Sequence, residues 1–161
     1  MRPCVARRPR TERSCGPISA ACRWCDPAAG RKLPGVPLSV YLVDDHAPYR
    51  RCLRQALEAA RLHVAGEAAG GEPALQAARA CAPQPLADVV LLDVLMPGLH
   101  GVALLPQLLA LAPASRIVML SLHDDPVLVR TLLQAGASGC LGKHTPPAVL
   151  LTAIRNAAGG A

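Results

Sequence analysis

The stretch Ala87-Asp88-Val89-Val90-Leu91-Leu92-Asp93-Val94-Leu95-Met96-Pro97-Gly98 constrains the fold more than any other. An apolar run, Val89 to Leu92, stops abruptly on a carboxylate, and Pro97-Gly98 then forces a turn. An apolar run this short, without alternation, reads as a strand buried on both faces, as in a parallel sheet. Asp93 therefore belongs at the carboxyl end of a central strand, beside a loop. In open α/β sheets that edge is where ligands bind. Taken alone, Asp93 could equally cap the next helix or merely end its strand, so the rest of the chain must decide.

Upstream, Leu38 to Val43 reads as a strand with Asp44-Asp45 at its carboxyl end. Residues 47–60 then place Tyr49, Cys52, Leu53, Ala56, Leu57 and Ala60 at helical spacing. Leu62 to Glu67 is a second strand, Gly70-Gly71 turns the chain, and Pro73 to Cys81 is a short Ala-rich helix broken by Pro83 and Pro85. Downstream of Asp93, Val102 to Leu111 is helical in spacing, with Pro106 as a kink or a late first turn. Ser115 to Leu120 is a fourth strand, ending at Ser121. Asp124-Asp125-Pro126 supplies a helix N-cap and a first-turn proline. Val127, Val129, Arg130, Leu133 and Gln134 carry that helix to Gly136. Ser138 to Leu141 is a short fifth strand followed by Lys143; Thr145-Pro146-Pro147 opens the last helix, which Gly159-Gly160 stops.

Five strand–helix units in sequence imply an α/β fold with a five-stranded parallel sheet and helices on both faces. The polar landmarks Asp44/Asp45, Asp93, Ser121 and Lys143 all fall at the ends of strands, which share one edge in such a sheet. The 161 residues suffice for one domain with a real core, which must be aliphatic because the chain has no Phe, one Trp and two Tyr. No apolar run reaches the roughly 18 residues that span a bilayer, so a membrane protein is not expected.

The net charge of +6 is unevenly spread. Residues 1–37 hold eight Arg/Lys against Glu12 and Asp26, whereas residues 38–161 hold nine Arg/Lys against nine Asp/Glu. The domain is thus neutral, and the basic balance says little about nucleic acid. The head, residues 1–37, is rich in Arg, Pro, Gly and Cys and is expected to be disordered. It has no signal-peptide core, and Pro3, Pro9 and Pro17 argue against the amphipathic helix of a transit peptide. Cys22-Arg23-Trp24-Cys25, with Cys4, Cys15 and no His, falls short of the paired ligands of a zinc site. An alternative is that translation starts near Val36 and the head is not native coding. Cys52, Cys81 and Cys140 occur singly in apolar surroundings, so free, buried, reduced thiols and a cytoplasmic location are expected.

Three carboxylates gathered at one sheet edge repel one another unless a cation joins them, and hard oxygen ligands with room for water suit Mg²⁺. Lys143 adds a point charge and Ser121 a hydroxyl. Cation, ammonium and hydroxyl around one carboxylate form a cradle for a phosphoryl group on that carboxylate. Each landmark also has a bland reading as a cap, turn or surface residue, but their joint occurrence after the first, third, fourth and fifth strands is specific.

Leu42-Val43-Asp44-Asp45-His46, Leu91 to Gly98 with Gly101, Leu120 to Asp125, and Gln134 to Gly139 through Lys143 closely resemble the response-regulator receiver domain, nearest to its NarL/FixJ (LuxR-type) subclass. The resemblance covers residues 38–160, with a domain at 38–161. It implies a single doubly wound (βα)5 flavodoxin-like sandwich and a part in two-component phosphorelay signalling, with transcription regulation as the usual output. Carried over by position, Asp93 is the phosphoacceptor. Asp45 and Asp93 ligate Mg²⁺ directly, Asp44 acts through water, and the backbone carbonyl of Leu95 is a further ligand. Ser121 and Lys143 contact the phosphoryl oxygens. The donor is a phosphohistidine on a sensor histidine kinase or a small phosphodonor.

Two departures stand out. Receivers usually carry Tyr or Phe three residues before the lysine, where this chain has Cys140, so readout through that switch position is expected to weaken; the Ser121 loop and the helix after it are the alternative route. Gly142 replaces a larger apolar residue and is expected to loosen the Lys143 loop. The subclass normally continues into a helix-turn-helix domain, whereas this sequence ends at Ala161, so no DNA binding by this chain alone is expected. A homodimer through the fourth helix, fifth strand and last helix, around Leu128, Leu132, Cys140 and Leu151, is a candidate. The competing reading is a degenerate receiver that binds partners without phosphorylation. An aspartate-nucleophile phosphatase acting on external substrates is disfavoured because Leu95 stands where a second acid is needed. A nucleotide-binding fold is disfavoured because the first turn is not glycine-rich.

Overall fold

A computed structural model describes residues 35–159. The head through residue 34, with its expected disorder, its Cys22–Cys25 spacing and the question of the translation start, lies outside the described residues. The elements alternate: β1 (Ser39–Val43), α1 (Ala47–Ala59), β2 (His63–Ala68), α2 (Gly71–Cys81), β3 (Val89–Asp93), α3 (Gly101–Leu111), β4 (Arg116–Ser121), α4 (Pro126–Gln134), β5 (Gly139–Gly142) and α5 (Pro147–Gly159). All four strand pairings are parallel, in the order β2-β1-β3-β4-β5.

Strand side chains alternate between two apolar layers. Val40, Leu42, Val89 and Leu91 face Leu53 and Leu57 of α1 and Leu150 and Ile154 of α5. Tyr41, Val43, Val90 and Leu92 face Ala74, Leu75 and Ala78 of α2, Leu104, Leu105 and Leu108 of α3, and Leu132 of α4. This is why β3 reads as an unbroken apolar run: both its faces are covered. Leu42, Leu91 and Leu92 are among the largest side chains with essentially no exposure.

The boundaries shift for local reasons. The α2 helix starts at Gly71, so Pro73 is its third residue, where the missing N–H has no intrahelical partner to lose. Pro106 is instead interior, the sixth residue of α3, and lies on the exposed side of that helix. Ser115 precedes β4 rather than opening it. Buried there, its hydroxyl donates to the Ala87 carbonyl at 2.7 Å. Asp88 Oδ2 accepts from both the backbone N–H and the hydroxyl of Ser39 at 2.6 Å, pinning the starts of β1 and β3 together.

Two expectations need correction. Cys52 is exposed, and Cys81 and Cys140 are only half-buried, although all three are free. The α1 helix buries the Leu53/Leu57 stripe, and the 100° turn per residue carries Cys52 outward. In α4 the buried position is Leu132, with Leu128 packed beside it, so Leu132 cannot form a docking face. The exposed large apolar side chains of α4 and α5 are instead Val127, Leu133 and Val149.

Candidate functional site

Each landmark sits at the carboxyl edge of the sheet because the strands are parallel and stop there. Asp44 and Asp45 follow β1, Asp93 is the last residue of β3, Ser121 the last of β4, and Lys143 follows β5. Register brings the last two together: Ser121 pairs with Gly142, and the Lys143 N–H donates to the Ser121 carbonyl at 2.7 Å.

Lys143 lies at the centre. Its Nζ donates to Asp44 Oδ2 at 2.6 Å and to Asp93 Oδ2 at 2.8 Å. Asp44 and Asp93 are buried, and Asp45 is exposed at the rim. The remaining oxygens are engaged too: Asp44 Oδ1 accepts the His46 N–H at 2.8 Å, and Asp93 Oδ1 accepts the Leu95 N–H at 3.1 Å. Burial pushes the Lys143 pKa down, but the hydrogen bonds and charges of Asp44 and Asp93 outweigh it, so the ammonium is held charged. Burial raises the pKa of Asp93, and the Lys143 and Leu95 bonds do not cancel it because one ammonium is shared between two carboxylates.

Carboxylate oxygens of Asp44, Asp45 and Asp93 lie within 4.8 Å of one another. With one ammonium among three carboxylates, the cluster keeps an excess of negative charge on hard oxygen donors. That donor set fits a small divalent cation such as Mg²⁺.

The hydroxyl of Ser121 is turned onto its own loop. It donates to the His123 carbonyl at 2.9 Å and accepts the His123 N–H at 3.1 Å. Cys140 is half-buried against the α2/α3/α4 layer; burial, and then the charge of Asp124, push its thiol pKa up. The Pro97-Gly98 turn and Gly101 have separate physical reasons. Gly98 adopts φ +75°, a conformation side chains disfavour. A Cβ on Gly101 would overlap the Asp93 carbonyl oxygen and lie 2.9 Å from Val94 Cα. The first turn of α3 thus rests directly on the end of the strand that carries Asp93.

Several neighbours were not singled out as site residues from the sequence. The Tyr49 hydroxyl donates to the Lys143 carbonyl at 3.3 Å, and the Lys143 ammonium stands 5.0 Å from the Tyr49 ring centroid. Arg50 Nη1 donates to the Asp44 carbonyl at 2.6 Å, while its Nε pairs with Glu67 at 3.1 Å. The only available signal was their place in the first helical turn after Asp44-Asp45.

The chain matches the response regulator receiver domain over residues 40–155. It belongs to that family. The receiver is 37% identical over 124 residues to the response regulator UvrY of Escherichia coli O6:H1, covering 76% of this chain and 55% of UvrY. It is 36% identical over 125 residues to the nitrate/nitrite response regulator NarL of Escherichia coli K12, covering 77% and 56%. It therefore spans little more than half the length of these relatives. Among solved structures, the signal receiver domain of the putative response regulator NarL from Mycobacterium tuberculosis is similar at TM-score 0.70 and 32% identity, over 78% of this chain and 98% of that one. The CheX–CheY–BeF₃–Mg²⁺ complex from Borrelia burgdorferi gives TM-score 0.70 at 27% identity, over 76% and 90%. This receiver is a signalling domain of the two-component class. Among the described residues, no helix is long and apolar enough to cross a membrane.

Proposed function

We propose that this receiver takes a phosphoryl group onto Asp93 from a phosphohistidine of a partner sensor kinase, or from a small phosphodonor, in a Mg²⁺-dependent reaction. The observation that carries this reading is the Lys143 ammonium shared between Asp44 and Asp93, with Asp45 beside them. An Asp93 oxygen forms the new P–O bond as the donor's bond to phosphorus breaks, P–N in a phosphohistidine and P–O in an acyl phosphate; the electron pair leaves on the imidazole nitrogen or on the carboxylate oxygen, and neither needs a protein acid. Lys143 pivots from the carboxylates towards the phosphoryl oxygens. Mg²⁺, held by Asp45, Asp93 and the Leu95 carbonyl with Asp44 acting through water, would neutralise charge on the transferred group. Ser121 joins by releasing His123, which frees the β4–α4 loop to move.

Intact-protein mass after incubation with acetyl phosphate and Mg²⁺ tests this, beside Asp93→Ala. One phosphoryl group, lost in the variant and without Mg²⁺, is expected. Uptake by the variant at the parental level would refute the assignment.

A second reading, partner binding without phosphorylation, draws on Ser121 being closed onto its loop and on Cys140 standing at the switch position. A parent that stays unlabelled while a control receiver is labelled would select it. The α4–β5–α5 face is the proposed homodimer surface, with exposed apolar side chains available on α4 (Val127, Leu133) and α5 (Val149). Sedimentation with and without a phosphoryl mimic should show a rise in mass; an unchanged mass would remove the dimer.

A further inference from the structure

Tyr49 makes two separate contacts with one residue. Its hydroxyl grips the Lys143 backbone carbonyl at 3.3 Å, and its ring lies 5.0 Å from the Lys143 ammonium. The second distance is within reach of a cation–π attraction, which strengthens when the pair is shielded from water. The Lys143 side chain is only 10% exposed. The contact joins residues 94 apart in sequence and spans the sheet edge, because β3 and β4 lie between the strands that α1 and Lys143 follow.

The lysine loop needs such a hold. On the β4 side it is tied by one backbone bond, Lys143 N–H to Ser121 carbonyl. Within β5, Cys140 is small and half-buried, and the His144 ring that covers Gly142 is itself exposed. Among the described residues the aromatic rings are Tyr41 and Tyr49, and Tyr41 is committed to the core. Without Tyr49, the ammonium would still have Asp44 and Asp93, but nothing would fix the backbone that presents it from the α1 side.

We propose that Tyr49 is the positioning residue for Lys143: its ring carries the ammonium and its hydroxyl ties the carbonyl, so α1 sets where the lysine stands and feels when it moves. The proposal rests on the phosphoacceptor reading for its consequence, but not for its geometry. When Lys143 turns to the phosphoryl oxygens it slides across the ring, and the change reaches α1 rather than β5.

The chain's two lysines, Lys32 and Lys143, make the test direct. Lysine labelled with ¹³C at Cε gives two side-chain signals, and the Lys143 protons lie in the shielding cone of the ring. Tyr49→Phe should keep that upfield shift, and Tyr49→Leu should abolish it. In phosphoryl uptake from acetyl phosphate, Tyr49→Leu should be slower by roughly threefold to tenfold, the range a half-buried cation–π contact supports. Tyr49→Phe should recover most of the rate. In a Lys143→Met background the same Tyr49→Leu change should cost less than about twofold, because residues acting through one another are not additive. A Lys143 signal that keeps the parent's upfield position in Tyr49→Leu, or an equal loss of rate in both backgrounds, would overturn the proposal. A parent that takes up no phosphoryl group would instead overturn the phosphoacceptor reading, and the lysine signal alone would then decide the role of Tyr49.

Discussion

Gly101→Ala should damage the domain more than any other single added methyl at the site loops. The new Cβ would overlap the Asp93 carbonyl oxygen and stand 2.9 Å from Val94 Cα and 3.0 Å from the Asp93 carbonyl carbon. All three neighbours are backbone, so no rotamer change can relieve the contact. Either α3 lifts off or the end of β3 is pushed back, and both movements disturb the Gly101 N–H bond to the Val94 carbonyl at 3.1 Å. Overpacking against side chains costs about 1–3 kcal/mol, so a collision with backbone on one side belongs at the top of that range, about 3 kcal/mol. For a domain of this size that lowers Tm by roughly 10 °C. Gly98→Ala is the control for conformation alone: nothing lies within 4 Å of its Cβ, but φ is +75°, and the cost should be about 1 kcal/mol. Gly139→Ala is the control for mere addition, because only Val118 methyls at 4.0 Å are met; its effect should stay within about 0.5 kcal/mol. Urea unfolding of the three variants orders them. A Gly101→Ala domain as stable as Gly139→Ala would refute the claim that α3 rests on the Asp93 carbonyl.

Two further outcomes follow from the charged groups. With divalent ions chelated, Asp93→Asn should raise Tm near neutral pH. Burial holds the Asp93 pKa above its ordinary value, so its charge costs stability once pH exceeds the folded pKa. The gain should vanish as pH falls below the unfolded pKa, and added Mg²⁺ should stabilise the parent but not the variant; a gain independent of pH would sink the argument. For Glu67, burial pushes the pKa up but the bonds and charges of Arg54 and then Arg50 win and lower it, so its contribution is present above the unfolded pKa and is lost as pH falls through the folded one. Glu67→Gln should therefore cost about 1 kcal/mol or less near neutral pH, given how exposed the three side chains are, and nothing once the carboxylate is protonated; denaturant titration at both pH values checks this.

The layers and the edge were legible in the sequence because short apolar runs that end on polar residues leave a sharp pattern. The apolar run of β3 and the stops at Asp44, Asp93 and Ser121 needed no tertiary knowledge. The helix faces were less legible. In α4, the spacing through Val127, Val129, Arg130 and Leu133 competes with the Leu128/Leu132 stripe, and only packing against β4 and β5 shows that the latter is buried. Cys52 failed for the same reason, since an apolar neighbourhood in sequence is not a face. Tyr49 was invisible as a site residue because its partner is set by the order of strands, and nothing local to α1 announces a residue 94 positions away. Arg50 reaches only six residues back, but to the backbone carbonyl of Asp44, and a backbone acceptor leaves no mark in the sequence. The turn of the Ser121 hydroxyl onto His123 is likewise a property of the loop conformation, not of composition.

Gly142 shows how a departure can be misread from sequence alone. An empty place before Lys143 suggests a loose loop, yet the place is filled: a Cβ there would meet His144 Cε1 at 2.6 Å, His144 Nδ1 at 3.0 Å and Asp124 Oδ1 at 3.1 Å. His144 Nε2 lies 3.3 Å from Asp124 Oδ2, a contact that becomes an ion pair when the imidazole is protonated. The residue after Lys143 thus meets the same loop whose Ser121 hydroxyl is held by His123, and glycine is what lets the ring lie down. Gly142→Ala should displace an exposed, flexible ring rather than backbone, so it should cost less than about 1 kcal/mol, while separating His144 from Asp124 and leaving the Lys143 N–H bond to Ser121 in place. The His144 ring resonances should then lose their sensitivity to Asp124→Asn, which they show in the parent. A cost above about 2 kcal/mol would mean that the ring has nowhere to go, and that the loops on either side of β5 are locked together rather than merely touching.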